Sequence, residues 1–304
     1  MEFLKKFDKQ QVQKITLIVI AALTILALVL LLVVIVASVN PSSPFGISGG
    51  ISNQVDYTVT DKDISTGYLV LADDDHPYTL NETLVTLLKC QDYRNKYLKD
   101  NGVTDTQIND KTNPDRYKLL RYMPYDKMKL QEEAMIAAHN MLIAATNANM
   151  EEYGPITIDT AYGQTTHLKG HAQEINTALA IYLTDGKSET SSFKALPQGH
   201  SEWFNKHAAE YGFIESFENG YRYVGVVHAK AISEDKNIDS LAEYIAYLKA
   251  NTSVDKTVEI TVNDATYKIY YVACKAGDTI KVPAEAYTIS GTNEGGVIIT
   301  VKVK

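Results

Sequence analysis

The chain has 304 residues, of which 45% are hydrophobic and 22% charged, and its formal net charge at pH 7 is −8. This length allows one medium-sized domain together with a smaller one, at roughly 100–200 residues per domain. The acidic balance argues against nucleic acid and anionic lipid as the principal ligands.

A long apolar run near the N-terminus begins at Ile15 and ends at Val39, with no charged residue in it. It exceeds the ~20 residues that a helix needs to cross a bilayer, and it is too long for the core of a cleaved signal peptide. We predict a transmembrane helix over residues 15–39 that anchors the chain in the cell membrane. The preceding head, residues 1–14, carries four lysines against two acidic residues, which favours a cytoplasmic N-terminus and an extracytoplasmic remainder.

Residues 40–54 are rich in Pro, Ser and Gly, a composition typical of a flexible stalk. After it we expect a main domain over residues 55–252 and a small one over residues 255–304. Cys90 and Cys274 are the only cysteines. An extracytoplasmic location permits a disulfide, but two separate buried thiols are predicted because cysteine is among the most buried residue types.

The main domain begins with an alternating stretch, residues 66–77, that predicts a strand followed by a turn at Asp73 to Asp75. These aspartates lack the further spacing of a calcium loop, so a solvated turn is expected. Helical spacing of apolar residues predicts helices over residues 82–100 and 128–153, the second with its methionines in the core. Alternation predicts a strand over residues 156–161.

The C-terminal third changes from helical to alternating periodicity. Ser240 and Glu243 form the Ser-x-x-Glu pattern of a capping box and mark the start of a helix. From Lys256 onward, short alternating runs are separated by turn residues such as Asn263-Asp264. The pattern predicts a small antiparallel β domain of about 50 residues, a size at which docking onto the main core is expected.

Histidines suggest three places where a polar site could form. His167, His171 and Glu174 are spaced four and three apart, so a continuous helix would align them as a possible metal site, although Gly170 weakens that helix. His207 and Glu210, three apart and close to His200 in sequence, are better explained as a surface pair. His228 is the third candidate.

Three stretches carry a resemblance to a known family: EINTALAIYL at residues 174–183, EWFNKHAAEYGFI at 202–214 and YRYVGVVHA at 221–229. They resemble VanY-type D-alanyl-D-alanine carboxypeptidases, which are zinc peptidases, and the likeness extends in blocks over roughly residues 66–250. The resemblance implies an α+β fold, in which a small antiparallel sheet is flanked by helices. It also implies that His228 makes a structural or supporting hydrogen bond at the end of a strand.

The residues that would make the family's zinc site are replaced in this chain. Ile175 and Tyr182 stand at the family's zinc-binding His and Asp, while Phe217 and Gly220 stand at the catalytic Glu and the second His of Glu-Pro-Trp-His. Gly163 stands at the Arg that is expected to hold the substrate's terminal carboxylate. A catalytic zinc needs three N or O ligands and a base, so no zinc site and no other cofactor is predicted. The bulky side chains of Ile175, Tyr182 and Phe217 are expected to plug the cleft.

These observations favour a membrane-anchored, extracytoplasmic pseudo-carboxypeptidase. It would bind a peptidoglycan stem peptide or another envelope protein without hydrolysing it. One alternative is an active D-alanyl-D-alanine carboxypeptidase, with zinc held by His167, His171 and Glu174 or with no zinc. Another is a structural ectodomain in a larger membrane complex.

Overall fold

The computed structural model describes residues 45–109, 126–153, 156–164, 171–185, 196–235 and 238–304. The predicted cytoplasmic head and transmembrane helix, residues 1–39, lie outside these ranges. Within them, no helix combines the length and the apolar character needed to cross a membrane. The described residues from Phe45 to Lys304 belong to one compact unit, and the division into domains over residues 55–252 and 255–304 stays a prediction.

The described helices, numbered in chain order, are α1 (Asp61–Ser65), α2 (Cys90–Asp100), α3 (Asp105–Asn109), α4 (Glu132–Tyr153), α5 (Ala172–Ile175), α6 (Gln198–His207), α7 (Val226–Glu234) and α8 (Leu241–Asn251). The described strands are β1 (Gly46–Gly49), β2 (Gln54–Thr58), β3 (Leu87–Lys89), β4 (Lys129–Gln131), β5 (Thr157–Thr160), β6 (Ala180–Thr184), β7 (Phe213–Phe217), β8 (Gly220–Tyr223), β9 (Lys256–Val262), β10 (Ala265–Ala273), β11 (Thr279–Pro283), β12 (Tyr287–Gly291) and β13 (Gly296–Lys302).

The first main sheet is antiparallel and has the strand order β5-β6-β8-β7. Successive side chains of a strand point to opposite faces, and one face of this sheet joins a buried cluster with residues of α4 and α6. That cluster includes Ile181, Leu183 and Tyr221. The opposite face therefore carries Tyr182, Gly220 and Arg222. The arrangement confirms the expected α+β core with a small antiparallel sheet flanked by helices.

The methionines predicted in the core are confirmed there. Met128, Met135 and Met141 are fully buried in the cluster that α4 shares with the first sheet. The helix itself starts at Glu132 rather than at Met128, because residues 129–131 form β4 and pair with β3. β3 likewise takes residues 87–89 from the helix that was predicted over 82–100, and α2 begins only at Cys90.

The second main sheet is also antiparallel, with the order β1-β9-β10-β13-β12, and β2 pairs separately with β11. The predicted C-terminal β strands are confirmed. Two strands from the start of the described chain join them, however, and the flexible stalk predicted over residues 40–54 is wrong in its second half. There Gly46 pairs with Glu259, while Phe45 and Ile51 are buried. Composition missed this because the partner strand lies about two hundred residues away in sequence.

A shared core joins the second sheet to the rest of the unit. Its buried residues come from α7, α8 and strands β9, β10 and β13, among them Ile232, Leu248, Val258, Ile269 and Ile298. Because one continuous cluster covers these elements, the β strands dock on the helices as predicted. The two cysteines are buried free thiols, and they belong to different clusters, Cys90 with the first sheet and Cys274 with the second.

The strand predicted over residues 66–77 is wrong, because this segment is irregular. Its backbone bonds across to the second sheet: the N–H of Leu69 donates to Ser290 Oγ at 3.0 Å. The turn that follows is confirmed. Asp73 Oδ1 accepts from the backbone N–H of Asp75 at 3.0 Å and of His76 at 2.8 Å.

Replacing Ser240 with alanine is expected to lower the free energy of unfolding by about 1 kcal/mol. The Ser240 hydroxyl accepts from the backbone N–H of Glu243 at 3.2 Å and so caps α8. Urea denaturation measures the change. Ser233→Ala is the matched control, because the Ser233 hydroxyl only donates to the carbonyl of Lys230 at an exposed position. Equal effects of the two variants would contradict the capping role.

Candidate functional site

Three of the replaced positions lie together on the first sheet. Tyr182 on β6 pairs with Gly220 on β8, and Phe217 on β7 pairs with Gly220 from the other side. The rings of Tyr182 and Phe217 are nearly parallel, with centroids 6.3 Å apart and planes at 11°. The structure therefore brings these residues to one place, as the resemblance implied.

Aromatic stacking extends from Phe217 to the segment that enters α5. The imidazole of His171 stacks on the ring of Phe217 at 4.3 Å between centroids and 5° between planes. Ile175, the last residue of α5, is fully buried. Rings and an aliphatic side chain thus stand at and around the positions where the family would have zinc ligands, and the surface is largely apolar there.

The Phe217 ring leaves no room for a side chain at position 220. A Cβ atom at position 220 would overlap the ring of Phe217. No residue with a side chain fits at 220 while Phe217 keeps this position. A histidine could stand at 220 only if the ring at 217 moved or were replaced, and the residues present do not fit a zinc ion.

Gly163, which the resemblance aligns with the family's substrate-binding Arg, is also closed to a side chain. Its φ of +86° lies in the left-handed region, and a Cβ atom would lie 2.5 Å from the carbonyl oxygen of Lys127. L-amino acids other than glycine pay a steric cost in that region. The backbone at 163 therefore does not present a cationic clamp for a carboxylate.

A buried ion pair lies under the same face of the sheet. Arg222 is fully buried, and its Nη1 donates to Glu174 Oε2. Nη2 donates to the carbonyl oxygens of Val70 at 2.9 Å and Tyr68 at 3.2 Å, and Nε donates to that of Tyr223 at 3.3 Å. With these four bonds the guanidinium fastens α5, β8 and the irregular 66–77 segment together, and it is a structural group.

Among the residues that the structure describes, His171 and Glu174 are not arranged as the alternative metal site. Glu174 is held by Arg222, His171 stacks on Phe217, and His167 lies outside the described residues. Over the ranges that the structure describes, no group of three His, Cys, Asp or Glu side chains is placed to hold a metal ion. His207 and Glu210 form a surface hydrogen bond of 3.0 Å, as predicted, whereas His200 is buried.

His228 lies in α7, not at the end of a strand, and it makes two structural hydrogen bonds. Its Nδ1 is 3.0 Å from the hydroxyl of Tyr244 on α8, and its Nε2 is 3.1 Å from that of Thr300 on β13. Burial lowers the pKa of His228 from 6.5 to about 4. Either hydroxyl can donate or accept, so desolvation of the charged ring explains the shift, and the neutral ring ties three elements together.

Acidification is expected to destabilise the fold through His228. Its folded-state pKa is below its unfolded value, so between pH 6.5 and pH 4 the unfolded chain binds the proton first. Stability from this group is complete above pH 6.5 and falls by about 3 kcal/mol as the pH drops to 4. Urea denaturation across this range should show a shallower pH dependence for His228→Gln than for the unaltered chain.

His76 does not affect the comparison between the His228→Gln variant and the unaltered chain. Although burial opposes it, hydrogen bonds to Glu294 and Asp73 raise the pKa of His76. A raised pKa gives stability that is complete below the unfolded value and lost only above it, so the contribution of His76 is constant below pH 6.5. Identical pH profiles for the His228→Gln variant and the unaltered chain would contradict the prediction.

A cavity of about 520 Å³ lies away from the replaced positions, none of which lines it. Its walls come from the irregular segment at 66–69, the loop at 83–86, the start of α4, His228 and strands β12 and β13. Sequence reasoning missed this cavity. No local pattern connects residues from so many separate segments, and only His228 among them had been singled out.

Comparison with known proteins finds similarity to one carboxypeptidase and to one dipeptidase. No protein-family model matches it. A D-alanyl-D-alanine carboxypeptidase of Enterococcus faecium is 26% identical over 279 residues, which cover 86% of this chain and 84% of the relative. The crystal structure of the vancomycin resistance D,D-dipeptidase VanXYg, bound to a D-Ala-D-Ala phosphinate analogue, matches with a TM-score of 0.59 at 18% identity. That match covers 82% of this chain and 99% of the dipeptidase, and it shows a shared fold. The sequence relative confirms the resemblance to the VanY-like carboxypeptidases.

Proposed function

We propose that this VanY-like relative of the D-alanyl-D-alanine carboxypeptidases binds a peptidoglycan stem peptide and does not hydrolyse it. The observation that carries the proposal is the contact between Phe217 and Gly220. The Phe217 ring occupies the space into which any side chain at position 220 would extend. The positions of the family's base and of one zinc ligand are therefore closed by the same ring.

The chemistry of the remaining positions supports this proposal. A zinc peptidase needs three ligands, a metal-bound water and a base that takes a proton from that water. Ile175 has no lone pair to donate, Gly220 has no side chain, and Phe217 cannot accept a proton. Gly163 adds no charge for a substrate carboxylate. Tyr182 supplies the one oxygen among the family's zinc and base positions, and a single phenol does not make the three-ligand site that activates water, so a bound peptide would remain intact.

The backbone next to the replaced positions nevertheless retains an ordered, hydrogen-bonded conformation. Ala178 has a φ of +56° and stands where the family pattern has glycine, the residue best suited to that conformation. Its carbonyl still accepts from the backbone N–H of Gln131 at 2.8 Å. A scaffold that persists without its reactive groups is suited to binding. The predicted helix over residues 15–39 would hold it at the outer face of the cell membrane, where another envelope protein is the other partner to consider.

An active carboxypeptidase is the second candidate, favoured by 26% identity to an enzyme of that name over most of both chains. It would need ligands other than the family's, such as His167, His171 and Glu174. The ion pair between Glu174 and Arg222 counts against that set, because a metal would have to compete with a buried guanidinium for the same carboxylate.

The deciding experiment measures D-alanine release from a pentapeptide ending in D-Ala-D-Ala. The full chain is purified in detergent and incubated with excess zinc, with the Enterococcus faecium carboxypeptidase as the positive control. We expect no release above the buffer blank, no stoichiometric zinc after desalting, and binding of a fluorescent pentapeptide. Release of D-alanine together with stoichiometric zinc would overturn the proposal in favour of the active enzyme.

A further inference from the structure

The cavity between the irregular 66–69 segment and strands β12 and β13 has the dimensions of a ligand site. Its volume of about 520 Å³ falls within the roughly 300–1,000 Å³ typical of small-molecule pockets. It is distinct from the closed family cleft, because Ile175, Tyr182, Phe217, Gly220 and Gly163 are all absent from its lining. A ligand could therefore occupy the cavity while the Phe217 ring remains in place.

Four buried polar side chains in the lining are held in place by hydrogen bonds. Gln131, His228, Ser290 and Thr300 are each at least nine-tenths buried. His228 bonds to Thr300, Gln131 donates to the carbonyl of Thr177 at 2.9 Å, and Ser290 accepts from Leu69. These contacts fix the four side chains, so little further ordering of them would be needed on binding.

The walls combine hydroxyl groups with aliphatic side chains. Thr66 and Thr83 already donate their hydroxyl protons to the carbonyl of Lys62 and the side-chain oxygen of Asn81. Together with Thr86 and Thr288 they therefore offer acceptor oxygens to a ligand. Leu69, Leu84, Ile289 and Ile298 provide apolar surface between them. A backbone amide has one donor and one acceptor and is followed by a side chain. A short peptide with small apolar side chains matches this pattern.

Charge at the cavity selects for a cation. Glu132 and Glu133 are exposed in the first turn of α4, and both line the cavity, against one lysine, Lys62. Burial, followed by the negative charge of Glu133, raises the pKa of Tyr68. Both carboxylates also complement the positive end of the α4 dipole. In the part of the chain that the structure describes, neither is ion-paired with Lys or Arg.

We propose that this cavity binds a short peptide through a free amino group of that peptide, which Glu132 and Glu133 hold while the threonines bond its backbone. The inference rests on the proposed peptide-binding function and names the part of the chain that performs it. An ammonium group between carboxylates makes charge-assisted hydrogen bonds, which are about twice as strong as neutral ones. Acetylating the amine removes both its charge and two of its donors.

Calorimetric titration of the full chain in detergent tests the proposal, with the tripeptide amide Ala-Lys-Ala-NH₂ and its fully N-acetylated form as probes. We expect the free-amine peptide to bind and the acetylated one to bind at least about tenfold more weakly. Glu132→Gln keeps the side-chain volume and should weaken binding of the free-amine peptide by about tenfold. The matched control is Glu285→Gln, an exposed carboxylate between β11 and β12 outside the cavity, which should leave affinity unchanged.

A second variant tests the location independently of charge. Thr288 is exposed on β12 and lines the cavity, so Thr288→Trp should fill the space and abolish binding without lowering thermal stability. Equal affinities for the two peptides, no binding of either, or unchanged binding by Glu132→Gln would each overturn the proposal. D-alanine release would instead overturn only the non-hydrolytic function, because amine-dependent binding here does not require a closed family cleft.

Discussion

Replacing Arg222 with methionine is expected to lower the free energy of unfolding by about 3–5 kcal/mol. The substitution leaves the Glu174 carboxylate, whose side chain is 18% exposed, without its counter-ion. It also leaves the carbonyl oxygens of Val70 and Tyr68 without the donor that now serves both. Losing one partner of a buried charge pair costs more than the pair itself contributes, because desolvation of the remaining charge is no longer offset. Urea denaturation of the purified chain measures the loss.

An exposed ion pair provides the control for Arg222. Lys96 and Asp100 form a contact of 2.7 Å on α2, with side chains 76% and 60% exposed. Lys96→Met should leave stability nearly unchanged because water screens such pairs. If Arg222→Met destabilised the chain no more than Lys96→Met, the role of Arg222 as the fastener of α5, β8 and the 66–77 segment would be wrong.

Adding a single methyl group at position 220 is expected to have the second large effect. Gly220→Ala should cost up to about 3 kcal/mol, because its Cβ atom would overlap the Phe217 ring, which would have to move. In a Phe217→Ala background the same change should cost less than about 1 kcal/mol. The resulting coupling of about 2 kcal/mol is within the range found for residues in direct contact. A double-mutant cycle by urea denaturation gives the number.

Gly49→Ala is the control for an added methyl group, because nothing lies within 4 Å of a Cβ atom at that position on β1. We expect it to change stability by no more than about 0.5 kcal/mol. Additive effects of the changes at 217 and 220 would mean that the ring moves aside easily. A zinc-binding histidine could then be accommodated at 220, and the non-hydrolytic proposal would lose its main support.

Helices and strands whose apolar residues recur at a regular spacing could be predicted from the sequence. The five C-terminal strands alternate, and α8 begins at a recognisable cap, so neighbouring residues contain the necessary information. β1 and the irregular 66–77 segment are different. Gly46 pairs with Glu259, and Leu69 donates to Ser290, partners about two hundred residues away. Without knowledge of these partners, the glycine-rich residues 40–54 predict a stalk and the alternating residues 66–77 predict a strand.

The candidate sites were likewise predictable only in part from the sequence. The family pattern could locate positions 163, 175, 182, 217 and 220, because a motif fixes places along the chain. It could not show that the Phe217 ring fills the space beside Gly220, or that Gly163 has a left-handed backbone. The cavity beside β12 could not be predicted from the sequence, because its carboxylates, threonines and histidine come from segments with no common pattern.

The contact between Phe217 and Gly220 also constrains the order in which these positions can change during evolution. A histidine arising first at 220 would meet the phenylalanine ring and destabilise the fold before any metal could be bound. A smaller side chain at 217 would remove that obstacle. A change at 217 is therefore expected to precede any change at 220.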